Sequence, residues 1–80
     1  MNDIQNRVSR CFANVFPDLP DSELPKVSMA SLARWDSIAQ VTLLAAVAEE
    51  FSIDFTAEDF EELTSFALIT DYVTAKVSRG

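Results

Sequence analysis

The distribution of proline and glycine limits the folds open to this chain. The 80 residues include three prolines and one glycine, and all three prolines lie between positions 17 and 25. Tight turns draw on glycine and proline, and proline also interrupts helices and strands. So little turn material, with its prolines confined to one stretch, favours long helices joined by one irregular loop over a sheet of hairpins. The length allows one hydrophobic core, so we expect residues 1–80 to form a single domain.

The charge balance limits the partners that this chain can bind. Six basic residues against thirteen acidic ones give a formal net charge of −7. A domain this acidic repels the phosphate backbone of nucleic acids and attracts basic protein surfaces over long range. The same charge would also keep a domain soluble without any role in recognition, and composition alone leaves that alternative open.

The side chains that usually support catalysis and metal binding are scarce. The sequence has no histidine, which removes the usual metal ligand and the usual general base. Cys11 is the single cysteine, so neither an internal disulfide nor a cysteine-based zinc site can form. Residues 54–62 lack the alternating acidic ligands and the central glycine of an EF-hand.

Two features of the sequence bear on location. Residues 1–5 show no basic region followed by an apolar segment, as a secretory signal would require. The longest apolar run, residues 41–48, is interrupted by Thr42 and is far shorter than the roughly 20 residues of a membrane span. We therefore expect a soluble, cytoplasmic protein without membrane insertion.

Hydrophobic periodicity predicts an all-α fold, a small four-helix bundle with three long helices and one short helix. Pro17 disfavours helical geometry at Phe16 and is expected to end the first helix there. The loop that follows carries an apolar residue every three to five positions, which predicts that it lies on the core. The predicted helices span about residues 3–16, 37–51, 57–63 and 66–77, with the loop at residues 17–35 between the first two.

Each long helix has a predicted inner face. The first presents Ile4, Val8, Cys11, Phe12 and Val15. The second is apolar on nearly all sides, which predicts the central position in the bundle. Its apolar stripe consists of Ile38, Val41, Leu44, Ala45, Ala48 and Phe51, and Leu43 and Val47 widen it. The fourth presents Phe66, Ile69, Val73 and Val77, with Leu68 and Tyr72 beside them.

The short third helix has a specific start signal. Thr56 and Asp59 have the spacing of a capping box, with aspartate in place of the usual glutamate. Phe55 and Phe60 occupy the two positions of a hydrophobic staple.

Four side chains are expected to be structural. Cys11 shares a helical face with apolar neighbours, which predicts a buried and inert thiol rather than a redox or acyl-bearing one. Phe51, Phe60 and Ile69 are expected in the core.

Ser37 is the candidate functional residue. It falls at the first helical position after Asp36, a good N-cap whose carboxylate also complements the helix dipole. A side chain at that position projects towards solvent. The free N–H groups of the first turn would favour a phosphodiester there. An Asp-Ser pair at a helix start is also typical of simple capping, so the position alone does not establish a site.

The wider pattern resembles the acyl and peptidyl carrier proteins. In that family an Asp-Ser-Leu-like motif starts the second helix, which ends in a Glu-Glu-x-Phe-like stretch, and a short third helix leads to a threonine-containing turn. The resemblance covers about residues 32–77, and the first helix and the long loop match in length and position. The matching residues are Asp36, Ser37, Ile38, Val41, Leu44, Glu49, Glu50, Phe51, Ile53, Phe55, Glu58, Asp59, Phe60, Thr64 and Ser65.

The resemblance implies a carrier that is not itself an enzyme. Ser37 would hold a covalent 4′-phosphopantetheine, transferred from coenzyme A by a phosphopantetheinyl transferase. The arm would carry an acyl or aminoacyl group as a thioester and present it to loading and transferring enzymes of fatty acid or polyketide biosynthesis. A monomer is expected. Residues expected to line a cargo cavity are Leu44, Val47 and Phe60. Residues expected to meet partner enzymes are Trp35, Asp36, Ile38, Thr42, Glu49 and Glu50.

Two departures from the common fatty-acid carriers change the expected partners. Arg34 stands where those carriers have glycine, and the Trp-Asp-Ser run at residues 35–37 is more similar to stand-alone carriers of specialised pathways. The common fatty-acid carriers have several acidic residues along the second helix. This chain has Ala39, Thr42 and Ala48 at such positions. We therefore expect partner recognition to depend more on Trp35 and Ile38 than on acids. Alternatively, the Trp35 ring packs onto the loop and only anchors it.

Two other functions are compatible with a small helical domain: an enzyme and an interaction module. An enzyme with Ser37 as nucleophile would need a base. The candidates are Lys26, Lys76 or a carboxylate, and none has a spacing that aligns it with the serine. The remaining alternative is an acidic helical interaction module without a prosthetic group, since a helical bundle does not by itself imply a function.

Overall fold

The computed structural model describes residues 3–79, and their side chains except those of residues 21, 78 and 79. Within this range the chain forms four α-helices and one 3₁₀ helix. Their bounds are α1 Asp3–Val15, the 3₁₀ helix Asp21–Lys26, α2 Ser37–Phe51, α3 Ala57–Glu62 and α4 Phe66–Arg79. The prediction of an all-α bundle with three long helices, one short helix and a long first loop is confirmed. No helix in residues 3–79 is long and apolar enough to cross a membrane.

The helix boundaries follow local signals. Ser37 starts α2 as predicted, while α1 and α3 each end one residue early and α4 continues two residues further. Ser52 ends α2 in the left-handed conformation, with φ 55° and ψ 48°. It does so although it is not glycine, and the Ile53 N–H then donates to the Ala48 carbonyl at 3.0 Å.

The start of α3 confirms the predicted signals. The Thr56 hydroxyl accepts from the Asp59 N–H at 3.2 Å, and the Asp59 carboxylate accepts from the Thr56 N–H at 2.8 Å. This second hydrogen bond is the main cause that lowers the pKa of Asp59. The ring centroids of Phe55 and Phe60 lie 6.4 Å apart, as a hydrophobic staple requires.

One core joins the helices and the long loop. The Phe12 ring packs edge-on against Trp35 at 5.3 Å and against Phe66 at 5.1 Å between centroids. The buried apolar side chains are Val8, Cys11, Phe12, Phe16, Leu24, Val27, Trp35, Leu43, Leu44, Val47, Phe51, Leu63, Phe66, Ile69 and Val73. The loop contributes to this core as predicted, and α3 contributes no buried residue.

The loop is also joined to the start of α4. Met29 N–H donates to the Thr64 carbonyl at 2.9 Å, and Phe66 N–H donates to the Val27 carbonyl at 3.1 Å. The 3₁₀ helix inside the loop was not predicted, because its Pro25 argued for irregular structure.

The predicted inner face of α2 was wrong in part. Ile38 is 77% exposed and Val41 56%, and Ala45 is exposed as well. The face that packs on the core consists of Gln40, Leu43, Leu44, Val47 and Phe51. A helix that is apolar on nearly all sides does not fix its own orientation, so the choice of face depends on packing against α1 and the loop.

The other core predictions have mixed outcomes. Cys11, Phe51 and Ile69 are buried as expected, and Phe60 is only half-buried. Burial raises the pKa of the Cys11 thiol, and the nearby charge of Glu50 adds to the rise. On α4, Val77 is 38% exposed because it lies beyond the last buried position, Val73.

Candidate functional site

Ser37 lies at the start of the most central helix, with its side chain exposed. Asp36 is the N-cap, in an extended backbone conformation. Its carboxylate accepts from the Ala39 N–H at 2.9 Å, and its carbonyl accepts from the Gln40 N–H at 2.9 Å. The predicted cap is therefore confirmed, and it leaves Ser37 as the first helical residue.

The hydroxyl of Ser37 is open to a reaction partner. Within residues 3–79 it makes no hydrogen bond to another side chain or to the backbone. The N–H groups of a helix's first turn lack intrahelical acceptors and, together with the dipole of the 15-residue α2, favour an anion at this end. An exposed hydroxyl in this position fits the covalent attachment of a group through a phosphodiester.

The residue before Asp36 anchors the end of the loop. Trp35 is 1% exposed, and its ring packs against Phe12 and Phe16. A ring buried this deeply offers little surface to a partner, so the structure gives no support to the predicted contact between Trp35 and partner enzymes. The alternative, a ring that anchors the loop, describes what the structure shows.

Gln40 is the feature that sequence reasoning missed. It is 2% exposed, and its Oε1 accepts a hydrogen bond from the Trp35 indole N–H at 2.7 Å. Its Nε2 donates to the carbonyls of Phe60 at 3.1 Å and Leu63 at 2.8 Å. The signal was a glutamine in an otherwise apolar stretch, five residues after the tryptophan. Apolar periodicity does not reveal such a residue, because a single polar side chain leaves the pattern of α2 almost unchanged.

An exposed apolar patch lies next to Ser37. The patch consists of Ile38 and Val41, which lie one turn apart. They are the two most exposed large apolar side chains among the residues that the structure describes. Thr42 beside them is exposed, and its hydroxyl donates back to the Ile38 carbonyl at 3.2 Å. Single exposed apolar residues are ordinary, whereas two adjacent ones beside a candidate site are a candidate contact surface.

The two acids at the end of α2 differ in their surroundings. Glu49 is exposed. The Glu50 carboxylate accepts from Arg7 Nε at 2.7 Å, and a second Arg7 nitrogen donates to the Glu50 carbonyl at 2.8 Å. The same guanidinium lies 4.3 Å from the centroid of the Phe51 ring. The Glu50 side chain therefore links α2 to α1.

Arg34, which stands where the common fatty-acid carriers have glycine, is an exposed surface residue. It forms an ion pair with Asp18 across the loop, and this hydrogen bond lowers the pKa of the Asp18 carboxyl. The pair ties the two ends of the loop together. Exposed pairs of this kind contribute little to stability.

Metal chemistry finds no support in the part of the chain that the structure describes. No group of three or more histidine, cysteine, aspartate or glutamate side chains is placed to hold a metal ion there.

Leu44 and Val47 are fully buried core residues, and their role with Phe60 in lining a cargo cavity stays a prediction.

Comparisons with known proteins define the class and then the family. A helical bundle with an exposed serine at the start of its central helix is the architecture of a carrier domain. The family described as "Phosphopantetheine attachment site" matches residues 6–73, and the chain belongs to that family. It is a carrier rather than an enzyme, with a covalently bound 4′-phosphopantetheine as its cofactor. The thiol of that group carries an acyl group as a thioester.

Two curated relatives are similar over nearly the whole chain. The acyl carrier protein of Thermosynechococcus vestitus is 27% identical over 77 residues, which cover 96% of this chain and 95% of that protein. The acyl carrier protein of Buchnera aphidicola subsp. Schizaphis graminum is 26% identical over 76 residues, which cover 95% of this chain and 96% of that protein. No solved structure matches the chain at a significant level.

Proposed function

We propose that Ser37 is the residue that carries the 4′-phosphopantetheine of this acyl carrier. The observation that supports it is the exposed, unbonded hydroxyl at the start of α2, next to an N-cap whose carboxylate is already occupied by the Ala39 N–H. Residues 1–80 then act as one carrier domain.

The chain's own residues have defined parts in this function. Asp36 fixes the first turn of α2, and the turn's free N–H groups face the position that the phosphodiester would take. The apolar core under α2 keeps this helix in place while enzymes approach from the solvent side. The protein has to present the arm and needs no base or metal of its own for that task.

We further propose that partner enzymes meet the solvent side of α2. The residues offered there are Asp36, Ile38, Val41, Thr42 and Glu49. Two of them are large apolar side chains, and Glu49 is the acid left free after Glu50 pairs with Arg7. This composition favours enzymes of a specialised pathway over a general fatty-acid synthase. A phosphopantetheinyl transferase and acyl-handling enzymes are the partners, and a cytoplasmic monomer remains our prediction.

The attachment site is tested by intact mass. The wild-type chain and Ser37→Ala are each co-expressed with a phosphopantetheinyl transferase, with Ser22→Ala as the matched control. Ser22 is an exposed serine in the 3₁₀ helix, away from α2. We expect one added phosphopantetheine on the wild type and the control and none on Ser37→Ala. Modification that persists in Ser37→Ala would assign the cofactor to another residue.

A further inference from the structure

The region around Ser37 is held by a buried polar network that the family assignment does not explain. The Trp35–Gln40 hydrogen bond joins the last loop residue before the cap to the first buried position of α2. Ser37 lies between the two residues in sequence, so this hydrogen bond spans it. The exposed hydroxyl of Ser37 therefore lies on a backbone segment whose two ends are joined by a buried hydrogen bond.

The other half of the Gln40 side chain is bound to the end of α3. The last carbonyls of a helix have no intrahelical donors. Phe60 lies in the last turn of α3 and Leu63 is its C-cap, and Gln40 Nε2 donates to both carbonyls. Since α3 contributes no buried side chain, this amide is a main polar tie between α3 and the helix that bears Ser37.

All of these polar groups are satisfied together. The Gln40 oxygen has its donor, both Nε2 hydrogens have acceptors, and the Trp35 indole has its acceptor. A buried polar group that loses its partner destabilises the structure, so the arrangement has one strongly preferred geometry. Networks of this kind in low-dielectric surroundings rigidify the structure around them.

We infer that Gln40 is a positioning residue for the attachment of phosphopantetheine: by bonding Trp35 and the end of α3 at once, it fixes the start of α2 and the direction in which Ser37 presents its hydroxyl. This inference rests on the proposed attachment at Ser37. It separates two tasks, since the solvent side of α2 binds the transferase while Gln40 sets the geometry of the reacting hydroxyl.

The inference predicts which kinetic constant changes. A hydroxyl that gains orientational freedom reacts more slowly once the transferase is bound, because fewer bound complexes hold the reacting atoms in line. Binding itself uses the solvent side of α2, which the substitution leaves intact. Loss of stability has the opposite signature. A smaller folded fraction of the carrier raises the apparent KM for the carrier, and the full rate returns at saturating carrier concentration.

The experiment measures the steady-state modification of apo-protein by a phosphopantetheinyl transferase with coenzyme A. The variants are Gln40→Met, which keeps the side-chain length without hydrogen bonds, and Trp35→Phe, which removes the indole donor and keeps an aromatic ring. The double variant is measured as well. Gln5→Met is the matched control, because Gln5 is exposed on α1.

We expect each single variant to lower kcat about tenfold while KM changes less than twofold. The double variant should lose no more than the worse single variant, because the Trp35–Gln40 hydrogen bond that Trp35→Phe removes is already absent in Gln40→Met. The control should match the wild type. Unchanged kcat in both folded variants, or a loss confined to KM, would overturn the inference.

A spectroscopic readout reports on the hydrogen bond directly. Trp35 is the single tryptophan, so its indole N–H gives one resonance whose hydrogen exchange can be followed without assignment. We expect slow exchange in the wild type and fast exchange in Gln40→Met. Equal exchange in both proteins would contradict the network itself. A Ser37→Ala protein that is still modified would refute the attachment site instead, whatever the Gln40 variants show.

Discussion

The inner and outer sides of α2 have similar composition and opposite roles. The inner side, with Leu43, Leu44 and Val47, is fully buried in the core. The outer side carries Ile38 and Val41, which are equally apolar yet mostly exposed. Apolar side chains on this helix therefore have two surroundings: the inner side holds the helix in place, and by our proposal the outer side meets the enzymes that must reach Ser37.

The largest expected effect separates the two sides by stability. Leu43→Ala removes a fully buried side chain and should lower the free energy of unfolding by about 2–5 kcal/mol. Ile38→Ala removes an exposed side chain of the same size and should change it by less than about 0.5 kcal/mol. Urea unfolding of both variants measures the difference. A similar loss in the two would show that the assignment of the two sides is wrong.

The next effect is on function and concerns the outer side of α2. With a cognate acyl-transferring enzyme, Ile38→Ala should lower kcat/KM about tenfold, because a large apolar side chain that fills a pocket is a typical anchor. Glu49→Ala should cost less, and added salt should weaken transfer only modestly, since exposed charges are screened. A dominant loss from Glu49→Ala with steep salt dependence would favour recognition by acids.

The smallest expected effect concerns α3, which has no buried residue and depends on polar contacts. The Asp59 carboxylate accepts from the Thr56 N–H and from the Tyr72 hydroxyl at 2.9 Å, and its pKa is lowered. A carboxyl with a lowered folded-state pKa adds stability above its unfolded pKa of about 3.9, and this stability is lost as the pH falls through the folded value.

Urea unfolding of the wild type and Asp59→Asn across the acidic range tests this dependence. The variant should be less stable at neutral pH, and the gap should narrow below about pH 4. Because the carboxylate is largely solvated, we expect a small gap. A gap that stays constant down to low pH would show that the ionised carboxylate is not what supports the start of α3.

The same comparison explains what the sequence could and could not predict. The starts of α2 and α3 were predicted correctly because Asp36 and the Thr56–Asp59 pair act on neighbouring backbone groups. Which side of α2 is buried could not be predicted, because it depends on packing with distant residues such as Phe12 and Trp35. Val41 was therefore placed on the inner stripe, and Ile38 was assigned both to that stripe and to the partner surface.

The candidate site shows the same division. Ser37 and its cap were predicted from a short motif, and the structure places them as expected. A buried Trp35 was one of two alternatives that the sequence left open. The role of Gln40 was not predicted, since its side chain donates to carbonyls 20 and 23 positions away along the chain. Likewise, the engagement of Glu50 by Arg7 depends on a contact between residues 43 positions apart.

The central claim, that the arm is attached to Ser37, is tested most directly by localising the modification in the wild-type protein. Holo-protein made with a phosphopantetheinyl transferase is digested, and the modified peptide is fragmented to identify the residue that bears the group. The account predicts one modified residue, Ser37, at the start of α2. Phosphopantetheine on any other serine or threonine, with Ser37 unmodified, would contradict it.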